Sequence, residues 1–155
     1  MGIHFKGILV VLSFLLPNIF FYFFPPQNIP KNLSSVPVVF TIMEQAGRIL
    51  CLVVPVVFGK KIAEQKGSYL VILMALCLLV YYTCWILYFT SGREYFDLFK
   101  PMGFIPIPMA IFPLMYLILL GIWVRSPLFI APAILFSIGH LAISWNTYIQ
   151  LLKIR

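Results

Sequence analysis

The sequence predicts an all-α, polytopic integral membrane protein: a single five-helix transmembrane bundle over residues 1–155, with no soluble domain. Composition is the first reason, since 63% of the 155 residues are hydrophobic and only 10% are charged, whereas soluble domains carry about 25% charged residues. The mean hydropathy of +1.05 is the second. The third is a series of five apolar stretches close to the roughly 20 residues that a spanning helix needs. Membrane lipid is therefore the first expected partner.

The first stretch predicts a helix over residues 7–24. A signal peptide is the alternative, because Lys6 precedes the apolar run, but no small-residue cleavage site follows that run. Pro17 should kink the helix and free a backbone carbonyl one turn earlier. The side chain of Asn18 could satisfy that carbonyl or face a neighbouring helix.

The second helix, over residues 37–59, carries the polar side chains Glu44, Gln45 and Arg48 near its middle. Arg48 lies roughly 16 Å along the helix from its start, near the centre of a hydrocarbon core about 30 Å thick. A lone charge there costs at least ~2.5–3.5 kcal/mol, so Arg48 needs a partner or a wet cavity. Glu44 precedes Arg48 by four residues, the better order for an intrahelical ion pair. These residues are either a structural pair or part of a binding site.

Three more helices are predicted over residues 68–90, 107–124 and 127–151. The third helix contains no charged residue, and one of its faces carries Cys77, Tyr81, Cys84 and Tyr88. That face is expected to meet other helices, while leucine and isoleucine face lipid. A tight turn at residues 125–127 makes the fourth and fifth helices an antiparallel hairpin.

The fifth helix carries a polar stripe in which Ser137, His140 and Ser144 are spaced by three and four residues. Asn146 continues the polar character toward the end of the helix. The functional interpretation is a seam that faces Glu44, with His140 able to take or pass a proton near neutral pH. The structural interpretation is hydrogen bonding that joins packed helices.

We therefore predict a buried polar cluster that binds a small molecule, an ion or a partner helix. The protein would be a carrier or channel protomer, or an accessory subunit of a membrane complex, and its partner could be a second copy or another membrane protein. The alternative is a membrane-embedded enzyme that uses His140 and Glu44 as acid and base on a lipid. The candidate ligand- or partner-binding residues are Glu44, Gln45, Arg48, Tyr81, Ser137, His140, Ser144 and Asn146.

Other classes of function have no signature in the sequence. The net charge of +7 comes from lysines and arginines scattered among short loops, so no nucleic-acid partner is predicted. The three cysteines and two histidines lack metal-ligand spacing, and catalytic motifs such as GxSxG and HExxH do not occur. No metal, cofactor or catalytic residue is predicted, and an enzyme is the less favoured class.

The orientation is not decided by counting lysines and arginines, because five fall on each side of five spans. The basic start of the first helix and the cluster of lysines at residues 60–66 favour a cytoplasmic N-terminus. The expected location is a bacterial plasma membrane.

One local pattern resembles a known family. Ala142, Asn146, Ile149 and Leu152 are spaced like the end of the fifth helix in the tryptophan-rich translocator-protein family, which are five-helix membrane proteins of similar length. The resemblance implies a bundle pocket that binds porphyrins or sterol-like ligands. The first loop lacks the family's tryptophan and Lys-Pro positions, and the charged second helix departs from its pattern.

Overall fold

A computed structural model describes residues 4–154, which form an all-helical protein without a β-strand. The prediction of an all-α fold is confirmed. The helices are α1 (Phe5–Phe23), α2 (Val38–Val57), α3 (Gly59–Ala63), α4 (Tyr69–Thr90), α5 (Pro108–Val124) and α6 (Pro127–Ile154), with one 3-10 turn at Tyr95–Leu98.

Four of these helices, α1, α2, α4 and α6, are long and apolar enough to cross a membrane. Helix α5 is apolar but has only 17 residues. The sequence predicts five spanning helices, and the described residues hold six α-helices because the short helix α3, of 5 residues, follows α2 after a break at Phe58. The helix is interrupted at Phe58, whose φ of −106° and ψ of 22° are not helical, and Gly59 packs closely on His4 and Gly7, leaving no room for a side chain.

The long helices pack side by side in the order α1, α2, α6, α5 and α4, and contacts between α4 and α1 close the ring. We call one end of this bundle the α3 end, where Lys61 Nζ donates to Ser126 Oγ at 3.3 Å. The opposite end, which we call the loop end, holds the α1–α2 loop, the α4–α5 loop and the C-terminus of α6. Several hydrogen bonds join these segments; for example, Gln27 N donates to Arg93 O at 2.8 Å, and Ser34 N donates to Gln150 Oε1 at 2.6 Å.

Proline 17 lies inside α1, where its missing N–H frees the carbonyl of Ser13. The hydroxyl of Tyr82 on α4 donates to that carbonyl at 2.8 Å. Asn18 instead donates to the carbonyl of Phe14 at 3.2 Å and to the Tyr81 hydroxyl at 2.8 Å. Asn18 therefore faces a neighbouring helix, and α4 supplies the donor that the proline requires.

Helices α2 and α6 make the most extensive contact in the bundle. Two glycines permit it: a Cβ on Gly47 would clash with the backbone of Phe136, and a Cβ on Gly139 would clash with the backbone of Phe40 and Glu44. Small residues of this kind let helix backbones approach each other in membranes. The two backbones are therefore in direct contact where the polar residues lie.

Candidate functional site

The polar residues meet at one carboxylate between α2 and α6. Glu44 is 7% exposed, and its Oε1 atom accepts a hydrogen bond from Arg48 Nη2 at 2.6 Å. The same oxygen lies 2.8 Å from Nδ1 of His140, which reaches it from α6. The structure thus brings together three of the eight predicted site residues.

The backbone explains why these three side chains converge. Side chains on a helix lean toward its N-terminus, so Arg48 reaches back over one turn to Glu44. The ring of Phe136 supports the arrangement, since the guanidinium carbon of Arg48 lies 5.7 Å from its centroid and the His140 ring lies 5.2 Å from it. The close approach at Gly139 places α6 near enough for His140 to bond Glu44.

The charges of the site balance when His140 is neutral, because the carboxylate and the guanidinium cancel. In that form Nδ1 carries the proton shared with Glu44, and Nε2 is an acceptor. When His140 is protonated, both ring nitrogens donate and the site carries one net positive charge. Nε2 can therefore accept a hydrogen bond from a ligand when His140 is neutral, and donate one when His140 is protonated.

The cluster lies within the length of the helices rather than at their ends. Glu44 is roughly 9 Å and Arg48 roughly 15 Å along α2 from Val38, at 1.5 Å per residue. His140 lies roughly 9 Å along α6 below Asn146, and Asn146 contacts the α1–α2 loop. Measured along either helix, the carboxylate therefore lies about 9 Å from the loop end toward the middle of the bundle.

The cluster opens toward the outside of the bundle. The side chain of Arg48 is 44% exposed and that of His140 is 25% exposed, against 9% for Glu44. Gln45 is also exposed on α2. Three cavities of the described residues, two beside α4 and one between α2, α5 and α6, are lined by other residues. The exposure of Arg48 and Gln45 places the polar groups at the bundle surface beside α2.

The remaining predicted residues play other parts. Ser137 is buried and donates to the carbonyl of Ala133 in its own helix at 2.6 Å, and Ser144 is buried one turn beyond His140. Tyr81 pairs with Asn18 between α1 and α4. The side-chain amide of Asn146 donates to the carbonyl of Ser34 at 3.0 Å and so fastens the first loop. Neither Tyr81 nor Asn146 belongs to the cluster.

Sequence reasoning did not identify Phe136, Gly47 or Gly139 as parts of this site. The glycines had a signal, because a glycine inside an apolar helix often marks a close helix crossing. Phe136 had none, since it is one of four Phe, Trp or Tyr residues in the helix, with Phe129, Trp145 and Tyr148, and nothing in the pattern distinguishes it.

Comparison of the chain with family models, with curated proteins and with solved structures finds no match.

Proposed function

We propose that this protein is an integral membrane subunit with five spans, which docks a helix of a partner membrane protein on the face of α2 around Arg48. We define this face by its exposed residues Gln45, Arg48 and Ile49. The occupant would be a helix that presents a hydrogen-bond acceptor, such as a carboxylate, an amide oxygen or a free carbonyl.

The half-exposed guanidinium of Arg48 is the observation that supports this function. It lies roughly 15 Å inside an apolar helix of 20 residues, where the surrounding solvent would be acyl chains. Arginine has five N–H donors, and Glu44 takes only one of them by the bond to Nη2. Leaving the others toward lipid is costly, whereas a partner helix would satisfy them.

The five spans in this proposal include α5. Its 17 residues cover roughly 26 Å, which approaches the hydrocarbon thickness of about 30 Å, and it packs between α4 and α6. The proposed orientation puts the N-terminus and the α3 end in the cytoplasm of a bacterial cell. Lys60, Lys61 and Lys66 support it, because clusters of this kind favour the cytoplasmic side.

A second candidate is a proton-coupled carrier or channel protomer. The bond of 2.8 Å between His140 and Glu44 favours it, because an imidazole and a carboxylate in direct contact can exchange a proton. In this case substitution of either residue would abolish flux in vesicles while the helices stay folded.

Site-directed photocrosslinking in native membranes tests the docking face. A crosslinking residue placed at Ile49, which is 57% exposed, should capture a partner, whereas one placed at Leu79 on α4, which is 64% exposed, should not. Adding Arg48→Gln to the Ile49 variant should abolish the adduct. An adduct of twice the chain's mass would identify a second copy as the partner.

Two results would contradict the docking function: equal capture at Ile49 and Leu79, or an adduct at Ile49 that Arg48→Gln leaves unchanged. If capture fails but His140→Gln abolishes proton-coupled flux, the carrier is the correct function.

A further inference from the structure

A groove on the outside of the bundle between α1 and α4 has a volume of about 570 Å³. Its wall is apolar and aromatic, and includes Leu16 and Phe20 of α1, Phe24 directly after α1, and Trp85 and Phe89 of α4. The volume lies within the range of roughly 300–1,000 Å³ typical of small-molecule sites. Leu16, Phe20 and Ile86 on its wall are 43%, 50% and 60% exposed, so the groove opens outward to the surrounding lipid.

One cationic side chain, that of Arg93, lines the groove at the loop end. The guanidinium carbon of Arg93 lies 5.8 Å from the centroid of the Phe24 ring. Its backbone is fixed, because the amide donates to Tyr88 O at 3.2 Å and the carbonyl accepts from Gln27 N. A left-handed φ of 60° at Arg93 turns the chain just after α4. The side chain of Arg93 is therefore attached to a backbone that hydrogen bonds hold in place.

The acidic residues near Arg93 are engaged elsewhere. Glu94 accepts two hydrogen bonds from the side-chain amide of Asn28, at 2.9 and 3.0 Å. Asp97 accepts one from the Ser91 hydroxyl at 2.7 Å. Within residues 4–154, no carboxylate forms an ion pair with Arg93. The groove mouth thus presents a guanidinium that, within the described residues, forms no ion pair with an acidic side chain.

The length of the groove matches one leaflet of a membrane. From Leu16 to Phe24 it extends roughly 12 Å along α1, while half of a hydrocarbon core is about 15 Å. Arg93 lies at the end where headgroups would be, and the apolar wall extends from there toward the midplane. Cations near the membrane surface attract anionic lipids.

We propose that this groove is a binding site for one anionic phospholipid, with its phosphate on the Arg93 guanidinium and one acyl chain against the wall formed by Phe20 and Trp85. The site rests on membrane insertion of α1 and α4, but it does not depend on a partner at Arg48. Its failure can therefore be told apart from failure of the docking face.

Native mass spectrometry of the full chain released from detergent micelles tests this site. Phosphatidylglycerol or phosphatidylcholine of the same chain length is added, and the fraction of protein that keeps one lipid is measured. Phosphatidylglycerol should be retained more than phosphatidylcholine. Arg93→Gln should weaken retention of phosphatidylglycerol by about fivefold, the effect of one basic side chain near an anionic headgroup. Lys31→Gln, which removes an exposed cation at the same end, should not change it.

A second pair of variants locates the lipid. Leu16→Trp fills the groove and should abolish retention, whereas Leu79→Trp on an exposed face outside the groove should leave it unchanged. Each variant is first checked for wild-type helical circular dichroism, and if Arg93→Gln does not fold, the tryptophan pair decides alone. The proposal is overturned if both phospholipids are retained equally, if Arg93→Gln behaves like Lys31→Gln, or if Leu16→Trp still retains lipid.

Discussion

The contact between α2 and α6 depends on Gly139, and the substitution Gly139→Ala tests how closely the two backbones must approach. A Cβ at this position would lie 2.5 Å from the carbonyl oxygen of Phe40, where ordinary contacts measure 3.4–4 Å. Both clashing groups, this carbonyl and the amide nitrogen of Glu44, are backbone atoms that cannot rotate away. The helices would have to separate by about 1 Å to accept the methyl group.

The energetic cost has two parts. Overpacking of a well-packed contact costs about 1–3 kcal/mol. The same separation would stretch the His140–Glu44 bond from 2.8 Å beyond the usual hydrogen-bond range, which removes about 0.5–1.5 kcal/mol more. Together these parts give about 1.5–4.5 kcal/mol, and the opposing gain from alanine in a helix is about 0.5–1 kcal/mol, so we expect Gly139→Ala to lower the free energy of unfolding by roughly 0.5–4 kcal/mol. The sign is informative, because glycine to alanine inside a helix otherwise gains about 0.5–1 kcal/mol.

Unfolding in sodium dodecyl sulfate, followed by circular dichroism, measures this difference. Gly67→Ala is the matched control, because a Cβ on Gly67 has no neighbour within 4 Å and its backbone does not require glycine. The control should stay within about 0.5 kcal/mol of the wild type. If Gly139→Ala is as stable as Gly67→Ala, the α2–α6 backbone contact is not as close as described. The hydrogen bond between His140 and Glu44, which depends on that close contact, would then be wrong as well.

Three further predictions concern the site, the first loop and the orientation. Glu44→Gln should lower the free energy of unfolding by about 1–3 kcal/mol, because a neutral amide replaces the charged acceptor that Glu44 offers to Arg48 and His140; unchanged stability in the same titration would contradict this. Replacing Asn146 and Gln150 together by alanine should speed amide hydrogen exchange around Ser34, since the loop loses its bonds from both side chains to Ser34, and unchanged exchange there would contradict the anchoring role. In intact bacterial cells a membrane-impermeant maleimide should label Lys31→Cys but not Lys66→Cys, because the proposed orientation puts only the loop end outside. The reverse pattern would invert the orientation.

The native cysteines do not interfere with the labelling experiment. Cys51, Cys77 and Cys84 are each 5–6% exposed, so the unmodified chain should give no signal. Labelling of both engineered cysteines after the cells are opened is the control for reactivity.

The positions of the helices could be predicted from the sequence because apolar length and prolines determine them locally. The ion pair of Glu44 and Arg48 was equally local, since a spacing of four residues places two side chains on adjacent turns. The expectation that His140 faces this pair came from the stripe on the fifth helix. Its contact with Glu44 depends on how close the helices approach, which is controlled by Gly139.

The parts that could not be predicted involve pairs of helices. Periodicity shows which residues share a face, but it does not show which neighbour that face meets. Tyr81 was assigned to the cluster from its polar face, yet that face meets Asn18 on α1. Asn146 continues the polar stripe on α6. The α1–α2 loop folds over the end of that helix, and the carbonyl of Ser34 in the loop accepts the hydrogen bond from the Asn146 side-chain amide. Loop paths of this kind leave no periodic signal.

The outward position of Arg48 follows from the same helical geometry that pairs it with Glu44. Four residues advance around a helix by about 400°, so Arg48 is rotated about 40° from Glu44. When Glu44 points into the α2–α6 contact, Arg48 must lie at the edge of that contact, and Gln45, rotated about 100°, must lie on the surface. Burying the acid in a bundle thus presents the base to whatever surrounds α2. An apolar surrounding would leave the remaining guanidinium donors unsatisfied, so a partner with an acceptor is the arrangement that this spacing favours.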